Sequence, residues 1–163
     1  MKNKLVLIDG NSILYRSFYA LPSLMTADGQ YTNAIYGFAN ILVKTINELK
    51  PTHIGVAFDV AKKTFRNDIY SDYKATRKPM PEELRSQVAP VKEMLKLMNI
   101  TVLEKDGLEA DDILGTISKR FDNEAQIIIV TGDRDTLQLI SKTTSIYSVS
   151  YTHLRAHETR RHL

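Results

Sequence analysis

Three apolar runs along the chain each lead, directly or after a short turn, to an acidic residue. Uninterrupted runs of Val, Ile and Leu are typical of strands that are buried on both faces of a parallel sheet. An aspartate therefore falls at or just beyond the carboxyl end of each predicted strand. The three segments are 5–9, 54–59 and 127–133, and their acids are Asp9, Asp59 and Asp133.

Helical periodicity occupies most of the sequence between these predicted strands. From Asn33 to about Lys50 the apolar residues recur at helical spacing, and Pro51 ends the pattern. A second stripe runs from Glu82 to about residue 98, begins with acids that favour a first helical turn, and is expected to pack in the core. Its apolar positions are Leu84, Val88, Val91, Leu95 and Met98.

Shorter predicted elements complete an alternation of strands and helices. We predict a short helix or turn at 11–19, a strand at 100–103, a helix at 109–121, a short helix at 135–140 and a strand at 144–149. Parallel strands joined by a crossover helix connect with right-handed geometry. The alternation predicts an α/β fold of three layers, with a mainly parallel central sheet and helices on both faces.

The acids at the predicted strand ends form a candidate metal site. In an open α/β sheet, ligands bind in the crevice outside the carboxyl ends of the strands. Carboxylates gathered there repel one another unless a cation neutralises them. A further acidic run, Glu109-Ala110-Asp111-Asp112, opens a predicted helix, whose dipole stabilises each negative charge by about 0.3 to 1 kcal/mol. Three acids exceed what capping requires, and Glu109 and Asp112 share a helical face beside Asp111, so we expect this run to complete the site.

The composition excludes several classes of protein. With 163 residues and no cysteine, the chain is long enough for one domain with a substantial core and has neither disulfides nor thiolate metal sites. It contains no apolar run of about 18 residues and no signal peptide, which predicts a cytoplasmic protein with no membrane partner. The net charge of +3 indicates nothing about nucleic acid, because most of it lies beyond residue 149.

The segment 62–85 interrupts the alternation and is rich in cationic and aromatic side chains. Two interpretations of this segment stay open from the residues alone. It is either a solvated, charged connection or a loop that grips a phosphate backbone and stacks on bases. Its position soon after the acidic strand end at Asp59 favours the second interpretation.

In their order and spacing, a series of short motifs closely resembles the 5′-3′ exonuclease domain of bacterial DNA polymerase I, a member of the flap endonuclease superfamily. The resemblance is continuous from residue 1 to about residue 148. Its motifs are VLIDGNS at 6–12, YRSFYAL at 15–21, YGFAN at 36–40, FD at 58–59, YKATR at 73–77, GLEADD at 107–112 and TGDRD at 131–135.

The resemblance implies a PIN-like 5′ nuclease domain that selects DNA with a 5′ flap or a single-stranded 5′ end and hydrolyses its phosphodiesters in replication and repair. It implies two divalent cations, Mg²⁺ or Mn²⁺, about 3.5 to 4 Å apart, which activate water and stabilise the leaving oxygen. The parent protein is either linked to a polymerase domain or a free-standing exonuclease. The metal-binding acids of the family fall on Asp9, Asp59, Glu109, Asp111, Asp112, Asp133 and Asp135.

The resemblance also assigns a DNA-binding role to the basic segment, which corresponds to the helical arch of the family. Lys74 in this segment and Arg16 near the first strand are catalytic candidates, because a cation there would neutralise charge that develops on the phosphate. The residues that match the DNA-facing pattern of the arch are Arg66, Tyr73, Lys74, Arg77 and Lys78.

The resemblance stops near residue 149. Residues 150–163 include His153 and His157, whose spacing is a weak metal-binding pattern, and we expect a non-native, disordered tail there. The family continues with a helix-three-turn-helix element and two more aspartates. We therefore expect residues 1–149 to form an exonuclease domain without that element, with an incomplete second ion site and little efficient cleavage.

Two other functions are consistent with the residues. The run Asp133-Arg134-Asp135-Thr136-Leu137 resembles the D-x-D-x-T loop of haloacid dehalogenase-type phosphatases, in which the first aspartate is a nucleophile. Alternatively, the chain is a non-catalytic remnant that binds nucleic acid through its basic loop. Carboxylate-dependent binding of Mn²⁺ distinguishes the nuclease from this remnant.

Overall fold

The computed structural model describes residues 3–60 and 79–149. The predicted arch residues Arg66, Tyr73, Lys74, Arg77 and Lys78, and the tail at 150–163, lie outside the described residues. The strands are β1 Asn3–Asp9, β2 His53–Ala57, β3 Thr101–Leu103, β4 Ala125–Thr131 and β5 Thr144–Ser148. The helices are α1 Gly10–Ala20, α2 Asn33–Leu49, α3 Glu82–Leu97 and α4 Ala110–Arg120, with a 3₁₀ helix at Asp135–Leu139.

The strands form one five-stranded sheet in the order β3-β2-β1-β4-β5, and every neighbouring pair is parallel. Ile8 in the centre of the sheet is paired with Val56 of β2 on one side and with Val130 of β4 on the other. Because parallel strands end at the same edge, the acids that follow β1, β2 and β4 are brought to one side of the molecule. The predicted α/β fold is confirmed.

Alternate residues of the central strands pack on opposite faces of the sheet. Val6 and Ile8 of β1 contribute to a core with the buried residues of α1, α2 and α3. Leu7 contributes to a second core, which includes the buried face of α4. The sheet is therefore covered by helices on both faces, as the sequence predicts, and within residues 3–60 and 79–149 no helix is long and apolar enough to cross a membrane.

The buried face of α3 differs from the predicted apolar stripe in two residues, Met98 and Gln87. Met98 is 43% exposed, so its predicted place in the core is wrong. The helix ends at Leu97, and Met98 and the left-handed Asn99, with a φ of 57°, form the turn that leads to β3, so Met98 lies beyond the helix face that packs in the core. The buried face instead includes Gln87, a polar residue.

Gln87 joins α3 to the start of α2 through buried hydrogen bonds. Its side-chain oxygen accepts hydrogen bonds from the backbone N–H groups of Ala34 at 2.8 Å and Ile35 at 3.1 Å. Its amide nitrogen donates to Asn33 Oδ1 at 3.0 Å. These N–H groups lie in the first turn of α2 and have no partner within the helix, so Gln87 supplies the cap that Thr32 does not.

Candidate metal centre

A polar cavity of about 360 Å³ lies at the carboxyl end of the sheet. Carboxylates from the ends of β1 and β2, from the start of α4 and from the loop after β4 all line it. The six acids are Asp9, Asp59, Glu109, Asp111, Asp133 and Asp135, and the wall also includes Asn11, Ser12, Tyr15, Arg16, Tyr19 and Gly132. Acids that are distant in sequence are thereby gathered at one place.

Asp9 is the most deeply buried of these acids, with 4% of its surface exposed. Its carboxylate caps α1 by accepting a hydrogen bond from Ser12 N at 3.0 Å, and it accepts a second from Thr131 Oγ1 at 3.0 Å. Burial raises the pKa of Asp9 from 3.8 to about 6, and the charges of Asp111 and Asp59 contribute to the rise against the opposing effect of the hydrogen bonds. Asp9 is therefore held charged at neutral pH in a site that is already anionic.

The close approach of α1 to β2 requires glycine at position 10. A Cβ atom on Gly10 would lie 2.6 Å from the ring of Phe58 and 2.8 Å from the carbonyl oxygen of Ala57. Without a side chain there, the first turn of α1 sits directly against the end of β2. This packing places Asp9 beside the strand end that carries Asp59.

Asp59 is tied to the start of α4. Its Oδ1 accepts a hydrogen bond of 2.7 Å from Ala110 N, one of the N–H groups that the helix leaves without an internal partner. The carboxylate is thus bound at the positive end of the helix dipole. This bond joins the end of β2 to the acidic run at the start of α4.

The three acids at the start of α4 have two roles, since they line the cavity and cap the helix. Glu109 and Asp111 line the cavity. Asp112 does not line it, because its carboxylate accepts a hydrogen bond from Glu109 N at 3.0 Å and forms a capping box with that residue. The sequence predicted both Asp111 and Asp112 as metal-binding acids, whereas the structure brings only Asp111 to the cavity and uses Asp112 to cap the helix.

Asp133 lies in the solvent-exposed loop that follows β4, and Asp135 is the exposed first residue of the 3₁₀ helix after it. Asp133 N donates a hydrogen bond to Thr131 Oγ1 at 3.0 Å, and Asp135 N donates to Asp133 Oδ1 at 3.0 Å. Thr136 Oγ1 also donates to the carbonyl oxygen of Asp133 at 2.7 Å. The loop is thus held by its own hydrogen bonds, and both carboxylates line the cavity.

Arg16 reaches the cavity from α1 and is anchored on the β4 loop. Its Nη2 donates a hydrogen bond of 2.9 Å to the carbonyl oxygen of Gly132. A Cβ atom on Gly132 would overlap the guanidinium group, so glycine is required there for Arg16 to occupy this position. Tyr15 and Tyr19 also line the cavity, and their rings stack with centroids 6.4 Å apart.

The donor set of the cavity suits a hydrated divalent cation. Within residues 3–60 and 79–149, no group of three or more Asp, Glu or His side chains is arranged to hold a metal ion directly. Mg²⁺ retains several waters and is commonly bound through one or two carboxylates, so it does not require such a group. A carboxylate whose pKa is raised by burial, and to a smaller extent by its acidic neighbours, also gains stability when a cation is added.

Several residues of this site were absent from the predicted set. Tyr15 and Tyr19 line the cavity, and Ser12 and Thr131 hold Asp9. Thr131 could have been identified from its position in the sequence, since it is a hydroxyl residue between a buried apolar run and the acidic loop. Tyr15 and Tyr19 were harder to identify, because aromatic residues in a short helix are usually explained by packing.

Comparison with known proteins identifies relatives along nearly the whole chain. The family model for the 5′-3′ exonuclease, N-terminal resolvase-like domain, matches residues 4–162. DNA polymerase I of Caldicellulosiruptor bescii is 49% identical over 148 residues, which are 90% of this chain and 17% of that protein. DNA polymerase I of Geobacillus stearothermophilus is 50% identical over 142 residues, which are 86% of this chain and 16% of that protein. The chain spans about one sixth of the length of these relatives.

Solved nuclease structures have the same fold. A flap endonuclease of bacteriophage T5, in a pseudo-enzyme-product complex with DNA and metal ions, aligns with a TM-score of 0.70 and 16% identity over 90% of this chain and 55% of that chain. The T5 5′-exonuclease with bound zinc aligns with a TM-score of 0.68 and 19% identity over 90% of this chain and 55% of that chain. With its sheet, its acidic cavity and the match of the family model, the chain belongs to the family of 5′-3′ exonuclease N-terminal, resolvase-like domains.

Proposed function

We propose that this chain is the metal-binding part of a structure-selective 5′ nuclease that hydrolyses phosphodiesters of DNA with a 5′ flap or a single-stranded 5′ end. The observation that carries the proposal is the convergence of six carboxylates, from four separate segments, on one cavity. Family membership supports the same activity over the phosphatase alternative. The T5 relative, which was solved with DNA and metal ions, supports the choice of substrate and cofactor.

Two divalent cations, Mg²⁺ or Mn²⁺, would supply activation of a water molecule and stabilisation of the leaving oxygen. Asp9, Glu109 and Asp111 would hold cations on the inner side of the cavity. Asp133 and Asp135 would do so from the β4 loop, where they are accessible to water. Asp59, fixed by its bond to the start of α4, would contribute a further carboxylate to the cavity.

Arg16 would stabilise the phosphate as charge develops on it. Preorganised donors accelerate such reactions because they need no reorientation in the transition state. The hydrogen bond from Arg16 to Gly132 and the lack of a side chain on Gly132 provide this preorganisation. We include Lys74 as a second catalytic cation, and we include Arg66, Tyr73, Arg77 and Lys78 as further contacts with DNA.

The intact relatives suggest the setting of the reaction. They are DNA polymerases I, in which the matched region is a small part of a longer chain. We propose that the parent of this chain likewise carries a linked polymerase domain, so that removal of 5′ ends accompanies synthesis. Cleavage of a flap by the parent protein, with and without polymerisation, tests this coupling.

Binding of Mn²⁺ to the whole chain, followed by cleavage of a 5′-flap oligonucleotide, tests the proposed function. We expect Asp9→Asn and Asp133→Asn to weaken Mn²⁺ binding, because each removes a cavity carboxylate. Asp28→Asn is the matched control, since Asp28 is an exposed acid in the loop between α1 and α2. A wild-type chain that binds Mn²⁺ no better than Asp9→Asn would contradict the proposal.

One alternative function has a specific observation in its favour. Residues 62–85 are rich in cationic and aromatic side chains, which a non-catalytic remnant would use to bind nucleic acid without cleaving it. Such a remnant would bind flap DNA equally well with and without Mn²⁺. It would also be insensitive to Asp9→Asn and Asp133→Asn, so the same variants separate the two functions.

A further inference from the structure

A buried hydroxyl group connects the two sides of the acidic cavity. The side chain of Thr131, at the end of β4, is 1% exposed. Its Oγ1 donates a hydrogen bond of 3.0 Å to Asp9 Oδ2 and accepts one of 3.0 Å from Asp133 N. A hydroxyl has one proton and two lone pairs, so it makes both bonds at once.

A second connection runs parallel to the first. Ser12 N donates a hydrogen bond of 3.0 Å to Asp9 Oδ1, and Ser12 Oγ accepts one of 2.9 Å from Gly132 N. Both oxygens of the Asp9 carboxylate therefore have a donor, and each donor residue is also bonded to the β4 loop. The orientation of Asp9 and the path of the loop at Asp133 are fixed relative to each other.

We propose that Thr131 is a positioning residue, whose hydroxyl orients Asp9 and the backbone of Asp133 so that both carboxylates stay in place to bind divalent cations in the cavity. The inference rests on the proposed function, because it assumes that the cavity binds a cation. It assigns no contact between Thr131 and the cation. The cation affinity of the cavity therefore depends on Thr131, a side chain that is not itself a metal ligand.

The physical reason is the repulsion within the cavity. The like charges of Asp111 and Asp59 act on Asp9, and repulsion between carboxylates favours rotation of one away from the others. The hydrogen bond from Thr131 opposes that rotation, and the branched side chain of threonine restricts its own χ1 angle within a strand. Residues that orient metal ligands in this way typically change metal affinity by roughly 10-fold to 100-fold when they are replaced.

Mn²⁺ binding to the full chain, measured by calorimetry for four proteins, tests the inference. Thr131→Val keeps the shape of the side chain and removes the hydroxyl, and we expect its Mn²⁺ affinity to fall roughly 10-fold to 100-fold. Thr131→Ser restores the hydroxyl and should bind within about threefold of wild type. Thr45→Val is the matched control, because Thr45 is also 1% exposed but lies in α2 away from the cavity. It should leave the affinity unchanged.

Hydrogen exchange provides a readout that needs no cation. In the metal-free chain, the amide of Asp133 should exchange faster in Thr131→Val than in wild type or Thr131→Ser, because it has lost its acceptor. If Thr131→Val does not fold, Thr131→Ala removes the hydroxyl without adding apolar surface and serves the same comparison. A purely structural role for Thr131 would lower the melting temperature without changing the affinity of the folded protein.

The outcomes separate the inference from the function on which it rests. If wild type does not bind Mn²⁺, the proposed function fails and the positioning role fails with it. If wild type binds Mn²⁺ and Thr131→Val binds it equally well, only the positioning role is overturned. Loss of affinity in Thr131→Val, rescue in Thr131→Ser and no change in Thr45→Val support both.

Discussion

Replacement of Asp9 by asparagine should stabilise the metal-free chain at neutral pH, although it removes a residue of the proposed metal site. Asparagine has the same shape and can still accept a hydrogen bond from Ser12 N, while its amide can donate to Thr131 Oγ1 with donor and acceptor exchanged. The substitution therefore removes the charge and keeps both partners, although the Thr131 hydroxyl proton loses its acceptor. Its effect on unfolding isolates the cost of holding a buried carboxylate in the ionised state.

The size of this effect follows from the pKa of Asp9, which burial raises from 3.8 to about 6. One pKa unit corresponds to about 1.36 kcal/mol, so the rise corresponds to about 3 kcal/mol. Because the folded state binds the proton more tightly than the unfolded state, the stability from this group is complete below about pH 4. This stabilisation is lost as the pH rises to about 6. At pH 7.5 the folded wild-type chain is therefore destabilised by the full cost of holding Asp9 ionised.

Urea unfolding in the presence of EDTA, between pH 4.5 and pH 8, measures the difference. We expect the free energy of unfolding of Asp9→Asn to exceed that of wild type by up to about 3 kcal/mol at pH 7.5 and by progressively less towards pH 4.5. Addition of Mn²⁺ should stabilise wild type by mass action and stabilise the variant less, because the variant binds the cation more weakly. The exposed Asp28 is the control, because hydrogen bonds from Thr26 and Gln30 lower its pKa and Asp28→Asn should act in the opposite sense.

Two results would refute this reasoning. The first is an Asp9→Asn variant that is no more stable than wild type at pH 7.5 in EDTA. This result would mean that burial does not destabilise the ionised carboxylate. The second is a difference in stability that does not change with pH, which would assign the effect to packing and not to charge.

Three further substitutions test other parts of the structure. Gly132→Ala should displace Arg16 and slow flap cleavage by roughly 100-fold while Mn²⁺ binding persists, as calorimetry and a cleavage assay would show. Gln87→Leu should lower the free energy of urea unfolding by about 2 to 3 kcal/mol, because it leaves the first turn of α2 uncapped, whereas Gln30→Leu at an exposed position should have little effect. Asp112→Ala should lower stability by about 0.5 to 2 kcal/mol and reduce Mn²⁺ affinity less than Asp133→Asn does.

The sheet and the gathering of acids at its edge could be predicted because both depend on local patterns. The run from Ile127 to Val130 has no polar position, which only a strand covered on both faces tolerates, and it leads to Asp133. Parallel pairing then brings Asp9 and Asp133 to the same edge without any knowledge of side-chain contacts. The fold class could therefore be predicted from the apolar runs and from the alternation of strands and helices along the chain.

Individual roles within the site could not be predicted, because different roles use the same residue types. Asp111 and Asp112 are adjacent carboxylates at one helix start, and only the three-dimensional structure shows that one lines the cavity and the other caps the helix. Gln87 caps a helix that begins 54 positions earlier in the sequence, at Asn33, so no local sequence pattern indicates this capping role. Met98 was misassigned because the end of α3 depends on the left-handed conformation of Asn99.

The double use of Asp9 affects how an inactive form for crystallography with DNA should be chosen. Its carboxylate also caps α1, the helix that carries Tyr15 and Arg16 to the cavity, so a substitution that cannot accept the hydrogen bond from Ser12 N, such as Asp9→Ala, disturbs the cavity wall together with the proposed chemistry. Asp135 is an exposed residue at the start of the short 3₁₀ helix, and its carboxylate has no such capping role toward α1. An Asp135→Asn protein is thus the better choice for trapping an uncut strand in an undistorted groove.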